Sequence, residues 1–471
     1  MLHVSTRGEA PAIGFTDALL AGLARDGGLY MPERWPILSP DTIASFSGAP
    51  YAEVAKVVLG ALVDGDIPAA DLGRMIDASY AAFRHPAVCP LTQLDDNLFA
   101  LELFHGPTLA FKDVAMQLLG RLMDHVLTSR GQRATIVAAT SGDTGSAAAE
   151  AFKGLDQVDV FILYPHGRVS EVQRRQMTGI AAPNVHAIAL EGTFDDCQAI
   201  VKALFNHARF RDELNLSGVN SINWARVAAQ TVYYFTAAVA LGAPHRPVSF
   251  SVPTGNFGDI LAGYAAKRMG LPVDRLMIGT NANDILARTL ATGTYELRGV
   301  IPTASPSMDI QVSSNFERLL FEAYSRDGGA VRRLMAGLAQ GGAFTIDAEP
   351  LARIRTEFSA QAVDERAVAQ EMTETQDAAG YTLDPHTAVA TRAARALLRD
   401  DPRTPVVALA TAHPAKFPDA VERATGLRPP LPPHLADLLD RPERFTVLAN
   451  DQGAVERFIR QRARVAQGTA A

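Results

Sequence analysis

The sequence predicts an α/β protein of two lobes, each built on a parallel sheet, behind an N-terminal extension. Three observations carry this. Beyond residue 134, short apolar runs of buried-strand type alternate with helical periodicity. After the turn Gly242-Ala243-Pro244 the alternation repeats as a second series. A chain of 471 residues is also longer than one ordinary core organises, so two or three domains are expected. The segments read as an N-terminal domain over 1–97, a smaller lobe over 98–225 and a larger lobe over 226–471.

In the N-terminal segment, Thr16 or Asp17 can cap a short helix over 18–23 that ends at Asp26-Gly27-Gly28. Helices follow over 51–62 and 71–83, then a strand over 99–103. The turn Gly106-Pro107 leads into HGPTLAFKDV, residues 105–114. Behind Lys112, residues Ala115, Met116, Leu118, Leu119, Leu122, Met123, Val126 and Leu127 recur at helical spacing. Lys112 therefore opens a helix whose apolar face is buried. TIVAA at 135–139 reads as a strand that passes through TSGDTG (140–145) into a small-residue helix over 146–152. Strands at 158–163 and 185–190 alternate with helices at 169–177 and 197–205. In the second series a helix over 227–241 precedes a strand at 248–252, the GNFGD turn (255–259) and a helix over 260–269. Strands at 276–279 and 406–410 follow. Residues 290–390 read as largely helical, and the Pro-rich stretch 428–434 as a surface connection.

Composition narrows the function. With 48% hydrophobic residues, 20% charged residues and a net charge of -7, the chain reads as a soluble globular protein without a nucleic-acid surface. The cysteines, Cys89 and Cys197, lie far apart, so neither a disulfide framework nor a cysteine zinc site is expected, and both thiols read as buried and inert. No metal site is expected. The first residues lack a signal-peptide pattern and no apolar run is long enough to span a bilayer. The expected address is the cytoplasm, with no membrane partner.

Three loops and one polar strand end carry the chemistry. A lysine fixed in a partly apolar setting can act as an amine nucleophile toward a carbonyl. TSGDTG and GNFGD each put small residues where a strand ends and a helix begins, so unpaired N–H groups and the helix dipole face an anion. The polar segment Thr411 to Phe417 follows the 406–410 strand, at the carboxyl edge where parallel sheets bind ligands. A lysine and two anion-binding loops suit a ligand with two anionic ends and a carbonyl between them. An amino acid joined to pyridoxal phosphate has that form. The histidines His105, His386 and His413, beside turns, read as structural hydrogen-bonders.

The motifs STRG (5–8), RDGGLYMP (25–32), ELFHGPTLAFKD (102–113), ATSGDTG (139–145), YPHGRVSEVQRRQM (164–177), NSINWARVAAQ (220–230), PTGNFGD (253–259) and TAHPAKF (411–417) span nearly the whole chain. Together they resemble the threonine synthase family, in its bacterial and fungal branch. The resemblance implies the tryptophan-synthase-β-like architecture of fold-type II pyridoxal-phosphate enzymes. It also implies a carbon-oxygen lyase that turns O-phosphohomoserine and water into threonine and phosphate, working as a monomer or homodimer.

Carried over by position, Lys112 would be the catalytic, Schiff-base lysine. The backbone of Gly255, Asn256, Phe257, Gly258 and Asp259 would cradle the cofactor phosphate, and Thr411 would face the pyridine nitrogen. Asp143 would lie near the 3′ oxygen, where cysteine-synthase-like enzymes carry asparagine. Thr140, Ser141 and Thr144 would hold the substrate carboxylate. Arg226 and Asn223, then Lys416 and Asn220, are the candidates for the substrate phosphate, because arginine suits bidentate phosphate contacts. The competing readings are a phospholyase of the same fold and a non-catalytic binding protein.

Overall fold

Central strands buried on both faces organise the larger of two compact units. A computed structural model describes residues 1–467. The larger unit comprises Met1–Leu19, Leu23–Phe111 and Ser221–Pro429, and the smaller one Leu20–Gly22, Lys112–Asn220 and the chain from Pro430 onward. The larger unit holds a six-stranded sheet in the order Phe358–Ala362, Val273–Thr280, Val248–Pro253, Val406–Ala410, Leu98–Glu102, Leu91–Asp95. All neighbours run parallel except the last pair. Val248–Pro253 and Val406–Ala410 are buried at every residue, the pattern of parallel strands covered on both faces. The edge strand Leu91–Asp95 is mostly half-buried or exposed.

The N-terminal extension is tied together by side chains of its two glycine-containing motifs. The Ser5 hydroxyl and the amides of Glu9, Ala10 and Gly28 all donate to the Asp26 carboxylate. Burial opposes ionisation of Asp26, but these donors win and hold its pKa below the usual value. Thr6 and Arg7 donate to Glu317, Arg7 through two nitrogens at 3.1 and 3.0 Å.

His3 lies between Phe15 and Trp224, with ring centroids 5.9 and 6.1 Å away. It is fully buried and neither ring nitrogen has a hydrogen-bond partner among the described residues. Burial lowers its pKa from 6.5 to about 4. The folded protein keeps His3 neutral while the unfolded chain protonates near 6.5, so stability falls as pH drops from 6.5 toward 4. The loss is on the order of 3 kcal/mol. His3→Phe is expected to flatten this dependence in urea unfolding at pH 7 and pH 4.5; an unchanged slope would place the acid lability elsewhere.

The smaller unit holds a five-stranded sheet, Thr446–Ala449, Val185–Glu191, Val158–Pro165, Ala134–Ala139 and Leu216–Ser217, parallel throughout. One face is sealed by Phe161, Leu163, Ile188, Leu204 and Phe210 with Val455, Phe458 and Ile459 from the C-terminal helix Gln452–Arg462. The Lys112–Ser129 helix packs on Asp143–Phe152, which is rich in small residues. A Cβ on Gly120 would stand 2.7 Å from the Ala151 carbonyl oxygen, so the two backbones meet there without room for a side chain. Both cysteines are buried, free thiols whose pKa burial raises, Cys197 to about 12. Among the described residues no helix is long and apolar enough to cross a membrane.

Several helices begin earlier than apolar periodicity suggests: Asp143 rather than 146, Phe194 rather than 197, Gly258 rather than 260. The first turns at Asp143 and Gly258 are built from polar and glycine residues, and at Phe194 the acidic pair Asp195-Asp196 follows, so the periodic stripe starts late. The first helix is likewise displaced, to Phe15–Ala21, with Phe15, Ala18 and Leu19 buried.

Candidate active site

In the smaller unit, Lys112 is the first residue of its helix and is buried, and its Nζ donates to Asp143 Oδ2 at 3.3 Å. Asp143 opens the facing helix, where the positive end of the dipole favours a carboxylate. Its other oxygen accepts from Gln173 Nε2 at 2.9 Å. Gln173 is a member of this site that was not singled out from the sequence. The signal was present: Ser170-x-x-Gln173 has capping-box spacing, and the box forms around Glu171–Thr178. The Gln173 oxygen serves the cap while its nitrogen serves Asp143. Gln173→Glu keeps the size but removes that donor and sets a second carboxylate against Asp143. It is expected to cost about 2 kcal/mol of stability in chemical denaturation.

The TSGDTG loop is shaped around Thr140. Its hydroxyl oxygen accepts the N–H groups of Gly142 and Gly145, each at 2.9 Å. The N–H and hydroxyl groups of Ser141 and Thr144 make no protein hydrogen bond among the described residues. Such a set at a helix N-terminus suits a carboxylate. Asn220 belongs to the same unit and is exposed.

In the larger unit, Val248–Pro253 runs into Gly255-Asn256-Phe257 and the helix Gly258–Arg268. Phe257 adopts a left-handed conformation, φ 64°. A Cβ on Gly255 would lie 3.0 Å from the Ser307 carbonyl oxygen. The N–H groups of Gly255, Asn256, Phe257 and Gly258 have no protein acceptor among the described residues. Consecutive open N–H groups at the head of a helix fit a phosphate dianion. The Asp259 side chain serves another purpose: its Oδ1 accepts from the hydroxyls of Tyr233 and Tyr234, and Tyr234 also reaches the Asp259 carbonyl. Burial and that carboxylate push both phenols well above their usual pKa, so they remain donors.

Thr411 follows Val406–Ala410, is buried, and its hydroxyl makes no protein hydrogen bond among the described residues. Its carbonyl accepts the Phe111 amide at 2.8 Å, and Ala110 bridges to Ala412. Lys416 is fully buried and donates to the Thr108 carbonyl at 2.7 Å. Arg226 is buried in the first turn of Trp224–Ala240; burial lowers its pKa to about 10, which leaves it a cation at neutral pH. Asn223 caps that helix, accepting the Ala225 amide at 3.0 Å while donating to the Leu19 carbonyl at 2.8 Å. Each of the three histidines is hydrogen-bonded within the fold. His105 pairs with Glu102, His413 accepts the Ala415 amide, and His386 bonds Asp384 through Nδ1 while accepting the Ser307 amide at Nε2.

Three family models match the chain: Threonine synthase N terminus over residues 2–80, Pyridoxal-phosphate dependent enzyme over 86–412, and Threonine synthase, C-terminal over 387–459. A threonine synthase of Pseudomonas aeruginosa is 54% identical over 98% of each chain. The crystal structure of a PLP-bound threonine synthase from Brucella melitensis is 60% identical, with a TM-score of 0.96 over 98% of this chain and 100% of that one. The yeast threonine synthase structure is 38% identical, with a TM-score of 0.93 over 98% of each chain. Motifs, fold and whole-chain similarity agree, and the chain belongs to the threonine synthase family of pyridoxal-phosphate-dependent lyases.

Proposed function

We propose that this chain converts O-phosphohomoserine and water to threonine and phosphate in the cytoplasm, as a monomer or homodimer. The observation that carries the reading is the buried Lys112 amine, held 3.3 Å from Asp143 at the head of two packed helices. Bound pyridoxal phosphate supplies an electron sink for the carbanions the reaction requires. Lys112 would hold the cofactor through its amine, and the same amine, when free, is the base that would carry the Cα proton. Asp143 accepts from the Lys112 amine and would face the cofactor's 3′ oxygen. Ser141 and Thr144 bind the substrate carboxylate through N–H and hydroxyl groups, with Thr140 shaping their loop. Gly255 to Asp259 would hold the cofactor phosphate by their backbone, and Thr411 would offer a neutral hydroxyl to the pyridine nitrogen.

The substrate phosphate is assigned to Arg226, supported by Lys416 and Asn220; Asn223, a candidate from the sequence, is instead fully buried and engaged with the Ala225 amide and the Leu19 carbonyl. Arg226→Gln is expected to raise KM for O-phosphohomoserine by about tenfold or more while cofactor absorbance stays unchanged. An unchanged KM would remove Arg226 from the substrate site. Product analysis tests the function itself: O-phosphohomoserine should yield threonine, and 2-oxobutyrate as the main product would replace this reading with a phospholyase.

A further inference from the structure

The open N–H groups of the GNFGD loop are aimed by a segment far away in sequence, Ser313-Ser314-Asn315. The Ser313 hydroxyl donates to the Gly255 carbonyl at 2.6 Å. The Asn256 carbonyl accepts from Asn315 twice, from the backbone amide at 3.1 Å and from Nδ2 at 2.9 Å. In a trans peptide the carbonyl and the following N–H point in opposite directions. The peptides of this loop are trans; among the described residues the cis bond recorded is Ala243-Pro244. Holding the Gly255 carbonyl therefore turns the Asn256 N–H the other way, and holding the Asn256 carbonyl does the same for the Phe257 N–H.

The clamp is itself fixed. Asn315 Nδ2 also donates to the Ser221 carbonyl at 3.1 Å, and Asn315 Oδ1 accepts from Arg318. That acceptance decides which end of the amide is oxygen, so the nitrogen must face the loop. Arg318, 0% exposed, is anchored by the Tyr30 carbonyl at 3.0 and 2.8 Å and the Ile222 carbonyl at 2.7 Å. Ser313 and Asn315 are themselves buried. No cap requires this arrangement: Asn315 makes no side-chain cap bond to the helix Phe316–Ala323 that it precedes.

We propose that Ser313 and Asn315 are positioning residues for the cofactor phosphate, acting through the Gly255 and Asn256 carbonyls, with Arg318 orienting the Asn315 amide. This rests on the reading that the GNFGD backbone holds the phosphate.

The test uses the full-length protein, with pyridoxal phosphate titrated into apoprotein and the ³¹P resonance of the bound cofactor recorded. Ser313→Ala removes the hydroxyl, and Asn315→Asp keeps the Arg318 contact while losing the donor to Asn256. Each variant is expected to weaken cofactor affinity by about tenfold and to shift or broaden the ³¹P signal. Wild-type affinity and an unmoved signal in both variants overturn the proposal, even if thermal stability falls, because that outcome assigns them packing alone. Gly255→Ala separates the two levels. If it weakens binding while the clamp variants do not, the loop reading stands and the clamp fails. If none of the three variants moves either readout, the loop reading falls and the clamp proposal falls with it.

Discussion

Lys112→Ala is expected to lower turnover by about 10⁴-fold and to abolish the visible absorbance of the lysine-bound cofactor. Both effects follow from one amine, since the group proposed to bond the cofactor is also the group proposed to move the proton. The fold should survive the change. Lys112 lies in the first turn, its apolar neighbours Val114, Ala115, Met116 and Leu118 supply the packing, and alanine is the best helix former. Asp143 would lose a cation but keep Gln173 Nε2 and the helix dipole. Absorbance spectra and steady-state rates of the purified variant check the prediction. A variant that retained the visible band and more than a hundredth of the activity would remove Lys112 from the chemistry.

Gly142→Ala should have the largest effect on stability of any single methyl addition in the site. Gly142 has φ 142°, a conformation that L side chains rarely adopt, and a Cβ there would stand 2.3 Å from the Gln173 side-chain carbon. The residue could escape only by moving Gln173, which breaks the bond to Asp143 Oδ1 and loosens the capping box of Glu171–Thr178. Strain and displaced contacts together are expected to cost about 3 kcal/mol. Activity should fall as well, because the displaced loop carries Ser141 and Thr144. Urea unfolding measures the first and KM the second; a cost below about 1 kcal/mol would show that the loop relaxes freely.

What was legible in the sequence follows a physical rule. Strands buried on both faces announce themselves as apolar runs, and Val406–Ala410 is found at its predicted limits. Edge strands do not. Phe358–Ala362 (FSAQA), Leu91–Asp95 (LTQLD) and Thr446–Ala449 (TVLA) are largely half-buried or exposed, so composition leaves them unmarked. Long-range pairing is invisible for a related reason. Leu98–Glu102 pairs with Val406–Ala410, and no local pattern encodes a partner more than 300 residues away. The site divides the same way: Lys112 and the two glycine loops are local motifs, whereas Gln173, Tyr233, Tyr234, Ser313 and Asn315 act through contacts the chain order hides.

The placement of Thr446–Ala449 also bears on how the protein is made. It pairs parallel with Val185–Glu191 in the sheet of the unit that carries Lys112, and the helix behind it seals that unit's core. During synthesis this sheet stays open on that side until residues 446–449, more than 250 positions after Val185–Glu191, have emerged. Until then Val185–Glu191 presents an unpaired edge, the kind of surface that recruits other strands. Shortening the chain at residue 430 would leave the Lys112 motif intact yet recreate that nascent state permanently, with aggregation as its outcome.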